Sequence, residues 1–264
     1  MLLQVKDLRS HFFTEEGVVK AVDGVSFDLA EGETLGIVGE TGCGKTVAAL
    51  SIMRLLSSPG QIVGGEVLFK GEDILKKSDD EMRRIRGGEI SMVFQDPATS
   101  FNPVFNIGDQ IAEILQVQMG LGKRKALEKA RDMLELVKIP KAGEMLHQYP
   151  HELSGGMRQR AMIAMALACK PDLVIADEPT TALDVTIQAQ ILEILKELIR
   201  DFHVSVLLIT HNLGVVAEIC DRVAVMRRGK IIEQGDVKQV FNKPKSEYTR
   251  DLLDVVRALY GGVE

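Results

Sequence analysis

Gly39-Glu40-Thr41-Gly42-Cys43-Gly44-Lys45-Thr46 decides how the rest of this chain is read. It fits G-x-x-x-x-G-K-[ST], the phosphate-binding P-loop pattern. Upstream, Thr34-Leu35-Gly36-Ile37-Val38 is a short apolar run that reads as a buried strand, and downstream Val47 to Leu56 reads as a helix. Glycines let the backbone wrap a phosphate group without Cβ clashes, and the loop amides converge on its oxygens. The helix start adds its own positive end. In this pattern Lys45 reaches the β- and γ-phosphates of a nucleotide and Thr46 ligates Mg²⁺. A Gly-rich turn with a chance lysine is the plainer alternative, but it leaves the flanking strand and helix unexplained. Cys43 lies inside the loop, near Lys45 and a helix start, and both favour thiolate. Its other reading is a small filler.

The chain has 264 residues, 45% of them hydrophobic, so a sizeable core is available and whole-chain disorder is excluded. A net charge of −6 argues against bulk electrostatic capture of nucleic acid. Cys43, Cys169 and Cys220 are scattered, with neither metal-ligand spacing nor a disulfide framework, which fits a reducing compartment. The start, Met1-Leu2-Leu3-Gln4-Val5-Lys6-Asp7, lacks the basic and apolar regions of a signal peptide. The longest apolar run, Ala161 to Cys169, is too short to span a bilayer. Any work at a membrane is expected to be that of a peripheral subunit.

Residues 2–8, 18–29 and 65–70 alternate apolar and polar, as half-buried antiparallel strands do. Ser78-Asp79-Asp80-Glu81 is a capping box that starts a short helix running to about Arg86. Ile90 to Phe94 is another apolar strand. Asp96-Pro97 and Asn102-Pro103 then break the chain, and two helical stripes follow. Ile107, Ile111, Ile114, Leu115 and Gln118 trace one; Leu127, Ala130, Leu134 and Val137 trace the other. From Met157 onward, helix, strand 173–176, helix 186–202, strand 204–209, a short helix and strand 222–226 alternate. That alternation predicts a mostly parallel sheet covered on both faces. A hairpin at Arg228-Gly229 leads into 230–234, and a helix from about Glu247 to Leu259 follows. The chain shows no internal repeat and no low-complexity segment.

Leu173-Val174-Ile175-Ala176-Asp177-Glu178 is four apolar residues followed by two acids. Acids at the carboxyl end of a buried parallel strand point at the crevice where ligands sit. After a P-loop, Asp177 is expected to hold Mg²⁺, directly or through water, and Glu178 to polarise the attacking water. Leu153-Ser154-Gly155-Gly156-Met157 precedes a helical pattern, which places Ser154 and backbone amides at a helix N-terminus. The plainer reading is an ordinary serine N-cap.

This second motif resembles the LSGGQ signature of the ATP-binding-cassette (ABC) ATPases, with Met157 in the place of the usual glutamine. The rest of that family's pattern stands in the expected order. Gln95 resembles the Q-loop glutamine, which contacts Mg²⁺ and the attacking water. Thr181-Ala182-Leu183-Asp184 resembles the D-loop, and His211 the switch histidine that contacts the γ-phosphate. Phe12 stands where the family has the aromatic that stacks on adenine, with Phe13 the neighbouring candidate. The resemblance implies an α/β fold: a P-loop NTPase (RecA-like) core, an N-terminal antiparallel β-subdomain and a helical signature subdomain. It implies one domain over residues 1–264, with core 1–95 and 157–235, helical subdomain 96–156 and tail 236–264. It also implies ATP and Mg²⁺ as ligands, and a head-to-tail pair of such subunits. Each nucleotide is then clamped between one subunit's P-loop and the other's Ser154-Gly155-Gly156.

Two stretches narrow the group. Val93-Phe94-Gln95-Asp96-Pro97-Ala98-Thr99-Ser100-Phe101-Asn102-Pro103 resembles the Q-loop of oligopeptide and dipeptide importer ATPases, and with the next stretch it implies an ATPase of a peptide/nickel-type importer. Lys245-Ser246-Glu247-Tyr248-Thr249-Arg250-Asp251-Leu252-Leu253 resembles their segment after the core. Members of that group often extend further, many with a cysteine cluster, whereas this chain ends at Glu264. The implied partners are a second ATPase subunit, identical or paralogous, two membrane permease subunits and, indirectly, an extracellular solute-binding protein. The implied place is the cytoplasmic face of the cell membrane. A non-transport ABC ATPase of DNA repair or translation is the rival class. Those typically carry two cassettes or a long coiled-coil insertion, and this chain has one cassette and a compact helical insertion. A P-loop kinase or simple GTPase leaves Leu153–Met157 unexplained.

Overall fold

In chain order the elements are β1 (Leu3–Thr14), β2 (Gly17–Leu29), β3 (Thr34–Val38), α1 (Lys45–Ile52), β4 (Gly60–Phe69), β5 (Glu72–Asp73) and α2 (Asp79–Ile85). Then come β6 (Ile90–Val93), α3 (Pro97–Ser100), α4 (Ile107–Met119), α5 (Lys123–Leu136), α6 (Ala142–Met145), α7 (Gly155–Leu167) and β7 (Leu173–Asp177). The last are α8 (Val185–Phe202), β8 (Ser205–Thr210), α9 (Leu213–Ile219), β9 (Arg222–Arg227), β10 (Lys230–Asp236), α10 (Val237–Asn242) and α11 (Glu247–Tyr260). The structure is a computed structural model that describes residues 1–180 and 184–260. It divides into two compact units, Met1–Lys77 with Ser205–Glu264, and Ser78–Val204.

The first unit holds two sheets. In one, β1 lies between β2 and β4, antiparallel to both, with β5 on the far side of β4. The alternating residues explain it: Leu3, Val5 and Leu8 turn inward while Lys6 and Asp7 face out. The register slips near Asp7, where Gly65 takes a left-handed φ of +96 and a Cβ would stand 2.6 Å from Asp7 O. A residue other than glycine would not fit that bulge. In the other sheet, β3 runs parallel between β8 and β9, and β10 returns antiparallel to β9. All residues of β3 and β8 are buried, which is why they read as unbroken apolar runs. Gly36 gives Val216 of α9 room to approach: an added Cβ would meet its Cγ1 at 2.9 Å. α1 begins at Lys45 and stops at Ile52, four residues before the sequence pattern ends, because Arg54 turns left-handed at φ 52.

The second unit joins the parallel pair β6–β7 to a helical layer. Ser78 caps α2 with both halves of the predicted capping box formed. Gly120 ends α4 in the left-handed conformation, donating to Gln116 O. The inward stripes of α4 and α5 are Ile107, Ile111 and Leu115, and Ala126, Ala130 and Leu134, all fully buried. Each leucine or isoleucine so buried contributes about 1.5–3 kcal/mol. α5 packs on α7, and the bond from Arg160 to Lys138 O (3.0 Å) ties α7 to the residues that end α5.

Candidate functional site

The phosphate loop is a glycine structure. Gly39, Gly42 and Gly44 have φ of +156, +80 and +108, all on the side that L-residues avoid. At two of them space is denied as well. A Cβ on Gly39 would lie 2.1 Å from Met226 O, and one on Gly44 2.1 Å from Ala21 O. β9 and β2 therefore shape the loop from outside. Gly44 is the N-cap of α1 and supplies no side chain to its free amides. Lys45 and Thr46 are the first two residues of the helix, Thr46 exposed. Lys45 is 5% exposed, and its Nζ donates to Gly39 O at 2.8 Å and Glu40 O at 2.9 Å. The loop folds over its own lysine and fixes the direction of the charge. Thr41 and Gly42 form the exposed outer turn, with Glu40 beside them.

Cys43 departs from the thiolate expectation. Burial pushes its pKa up, and that outweighs the lowering by the Lys45 charge, 3.8 Å away at Nζ. The thiol stays protonated at neutral pH, which favours the filler reading. Its sulfur would also lie 2.9 Å from a Cβ at Gly39, so it packs the inside of the loop.

In the same unit, His211 follows buried Thr210 at the carboxyl end of β8 and is exposed. Asn212 caps α9 through Gly214 N, and its own N–H donates to Thr210 Oγ1 at 3.0 Å, so the residues on both sides of His211 are tied down. Phe12 and Phe13 point to opposite faces of β1. Phe12 shares the face of Ser10, whose hydroxyl meets Ser51 of α1 at 2.7 Å, and lies against Gly60, where an added Cβ would be 2.9 Å from its ring. Phe13 is exposed beside His11.

In the second unit, β7 delivers its two acids as its sequence suggests. Asp177 ends the strand at 2% exposure, and Glu178 follows at 9%. Glu178 is left-handed at φ 45, a conformation that costs a non-glycine residue of order 1 kcal/mol and collects at functional sites. Gln95 lies just beyond β6, the partner of β7, and its Nε2 donates to Glu178 Oε2 at 3.1 Å. Adjacent parallel strands thus bring a glutamine and a glutamate together although 83 residues separate them. Sequence reasoning named both residues but not this contact.

Ser154 is the N-cap of α7, its Oγ accepting from Met157 N at 3.3 Å. That bond is the ordinary cap, and the exposed hydroxyl keeps a further lone pair and its proton. Gly156 has a second reason to be small: a Cβ there would be 2.8 Å from Ile187 Cγ2 on α8. Asp184 caps α8 through Ile187 N at 3.0 Å, so the caps of α7 and α8 are neighbours through that one close contact. The D-loop residues Thr181, Ala182 and Leu183 lie outside the described residues.

The family model described as ABC transporter matches residues 22–181. A probable peptide ABC transporter ATP-binding protein of Sinorhizobium fredii is 56% identical over 97% of this chain and 77% of its own. The dipeptide transport ATP-binding protein DppD of Bacillus subtilis is 55% identical over 98% and 77%. The oligopeptide transport ATP-binding protein OppD of Salmonella typhimurium is 51% identical over 98% and 77%. Among solved structures, the dimeric post-hydrolysis ATP-binding cassette MJ0796 bound to ADP and Pi superposes with a TM-score of 0.80 at 25% identity. It covers 89% of this chain and 98% of that one. CbiO1 of Clostridium perfringens, part of an ABC transporter complex, gives 0.76 at 26% identity over 98% of both. No helix among the described residues is long and apolar enough to cross a membrane. By its matched model and these identities the chain belongs to the ABC transporter family, as one of its ATP-binding, ATP-hydrolysing cassettes.

Proposed function

We propose that this subunit powers an importer of di- or oligopeptides, with nickel and oligosaccharides as the neighbouring cargo classes. The observation that carries the reading is identity of 51–56%, over nearly the whole chain, to ATP-binding proteins named for peptide and dipeptide transport. The subunit sits on the cytoplasmic face of the membrane, pairs head to tail with an identical or paralogous ATPase and docks on two permease subunits. The solute-binding protein meets the permeases, not this chain.

Each part of the nucleotide reading has a physical basis. Gly39 to Thr46 wrap the phosphates, with Lys45 as the main protein charge on them and Phe12 stacking on adenine. The Thr46 hydroxyl and the Asp177 carboxylate are oxygen donors of the kind Mg²⁺ takes, and one carboxylate with phosphate oxygens is its usual protein set. When bound, Mg²⁺ neutralises phosphate charge. Glu178 accepts the proton of the attacking water, and Gln95 holds the carboxylate oriented for it. His211 contacts the γ-phosphate. Ser154, Gly155 and Gly156 enclose the partner's nucleotide from the N-terminus of α7, with Asp184 at the same interface.

The exposed apolar residues after the Q-loop fit the permease contact. Val104 is 70% exposed and Phe105 53%. Their loop is held from behind by Gln110, which accepts from Asn102 N at 2.8 Å and donates to Phe105 O at 2.9 Å. A fixed loop with outward apolar side chains suits docking.

The test is reconstitution of the subunit with its membrane partners and a solute-binding protein in liposomes, supplied with labelled peptide, Ni²⁺ or oligosaccharide. ATP-dependent peptide uptake, abolished by Lys45→Ala, is expected. Copurification with ribosomes or DNA in place of membrane subunits refutes the transport role.

A further inference from the structure

Tyr248 sits in the first turn of α11, 7% exposed, far in sequence from the phosphate loop. Its hydroxyl accepts a hydrogen bond from the backbone N–H of Glu40 at 3.4 Å. That N–H belongs to the peptide group joining Gly39 to Glu40. The carbonyl of the same peptide group, Gly39 O, accepts from Lys45 Nζ at 2.8 Å. A trans peptide is rigid and planar, so its N–H and C=O turn together. Here the plane is held at both ends: by the tail tyrosine on one side and by the loop lysine on the other.

The tyrosine is itself fixed. The Arg227 guanidinium lies over its ring, 4.4 Å from the centroid. The segment leading into α11 is pinned by Glu233 of β10, whose carboxylate accepts from Lys245 N at 2.8 Å and from Ser246 N at 3.0 Å. Burial alone would push the Glu233 pKa up. Hydrogen bonding, led by that from Lys245 N–H, together with the Lys245 charge outweighs it and leaves the carboxyl below its ordinary value, so this clamp is charged at neutral pH. Burial pushes the Tyr248 hydroxyl up, so it stays a neutral acceptor over the same range.

We propose that Tyr248 is a positioning residue for the phosphate loop: it sets the Gly39–Glu40 peptide whose carbonyl aims Lys45. The tail thereby reaches the nucleotide without touching it. This rests on the reading of Lys45 as the phosphate-binding lysine. Glycine at position 39 makes such an outside restraint useful, because a glycine by itself does little to fix the peptide that follows it. One hydrogen bond of ordinary net strength corresponds to about a two- to tenfold effect, and its length places this one toward the lower end.

Tyr248→Phe removes the hydroxyl and keeps the ring under Arg227. Steady-state ATPase is measured on the subunit assembled with its membrane partners, and MgATP binding and thermal midpoint on the subunit alone. Lys45 holds the phosphates in ground and transition states alike, so the expected change is in KM and Kd for ATP, up about three- to fivefold, with kcat near wild type. The nucleotide-free thermal midpoint falls by only a few degrees, since the bond to Glu40 N–H is lost there too. An unaltered KM and Kd in Tyr248→Phe, beside a Lys45→Ala control that loses ATP binding, overturns the positioning role and leaves the nucleotide reading intact. A lowered nucleotide-free midpoint with unaltered KM assigns Tyr248 to packing and also overturns it. ATP binding at full strength in Lys45→Ala overturns the nucleotide reading, and the positioning role with it.

Discussion

Gly156→Ala is the sharpest probe of the link between the caps of α7 and α8. The added Cβ would stand 2.8 Å from Ile187 Cγ2, whereas carbon–carbon contacts are comfortable from about 3.5 Å. The two helix starts must therefore separate by roughly 0.7 Å, or Ile187 must leave its rotamer. Overpacking of that kind costs about 1–3 kcal/mol. Alanine for glycine in a helix recovers at most about 1 kcal/mol, less in the first turn. The clash wins, and a net loss of about 1–2 kcal/mol is expected. At about 2–4 °C per kcal/mol for a chain of this size, the thermal midpoint falls by roughly 2–8 °C. Ile187→Leu removes the β-branch at nearly constant volume and costs under about 1.5 kcal/mol by itself. The double variant should then be more stable than the two losses added together. Scanning calorimetry on the four proteins completes the cycle. A Gly156→Ala protein that melts with wild type, or a double variant that is strictly additive, refutes the close-packing argument. ATP hydrolysis on the same proteins separates packing from phosphate approach: activity that returns with the midpoint assigns Gly156 to packing.

Glu178→Gln keeps the left-handed backbone and the size of the side chain, so stability should hold, while loss of the base should slow hydrolysis by about 10²–10⁴-fold. ATP but not ADP should then trap a dimer in light scattering with the partner subunit present, and Ser154→Arg should abolish it; normal turnover by a monomeric Glu178→Gln protein would overturn the catalytic assignment. Because burial holds Cys43 protonated, maleimide at neutral pH should modify it far more slowly than a free thiol until the protein is unfolded; peptide mapping that finds fast labelling in the native state, prevented by MgATP, would restore the thiolate reading. Single cysteines replacing Asn102 or Phe105 should crosslink to a permease subunit, and failure along the whole loop, with a control pair succeeding elsewhere, would count against the proposed docking face.

The phosphate loop was readable because its chemistry is local. Three glycines, a lysine and a threonine at fixed spacing need no tertiary information, and Ser78 with Glu81 formed the capping box their spacing predicts. Buried strands were equally plain, since β3, β7 and β8 are wholly buried and each is built on a run of four consecutive non-polar residues. Boundaries were harder. Nothing local in Arg54 announces its left-handed turn, so α1 was expected to run past Ile52. α6 and α10, of 4 and 6 residues, are too short to display a helical period. The site was legible as a set of residues but not as contacts. Gln95 reaches Glu178 only because β6 and β7 are neighbours. Cys43 shows the limit most clearly: its sequence neighbours favour thiolate, while its burial, which sequence does not display, decides the opposite.

A ribosome delivers this chain N-terminal side first, and the division into units gives that order a consequence. Ser78–Val204 is one continuous stretch, so its helices can meet as soon as it emerges. The other unit is assembled from both sides of that stretch. β3 emerges early but pairs with β8 and β9, with Thr34 opposite Val206 and Leu35 opposite Arg222. Until those strands appear, Thr34–Val38 is an apolar segment with two open edges, the kind of strand that invites aggregation or chaperone capture. The loop that follows it can acquire its shape only when β9 brings up Met226, against whose carbonyl Gly39 is fitted. Nucleotide binding is therefore a property of the nearly finished chain, and a nascent chain stalled before β9 should display the phosphate-loop motif without the ability to hold a phosphate.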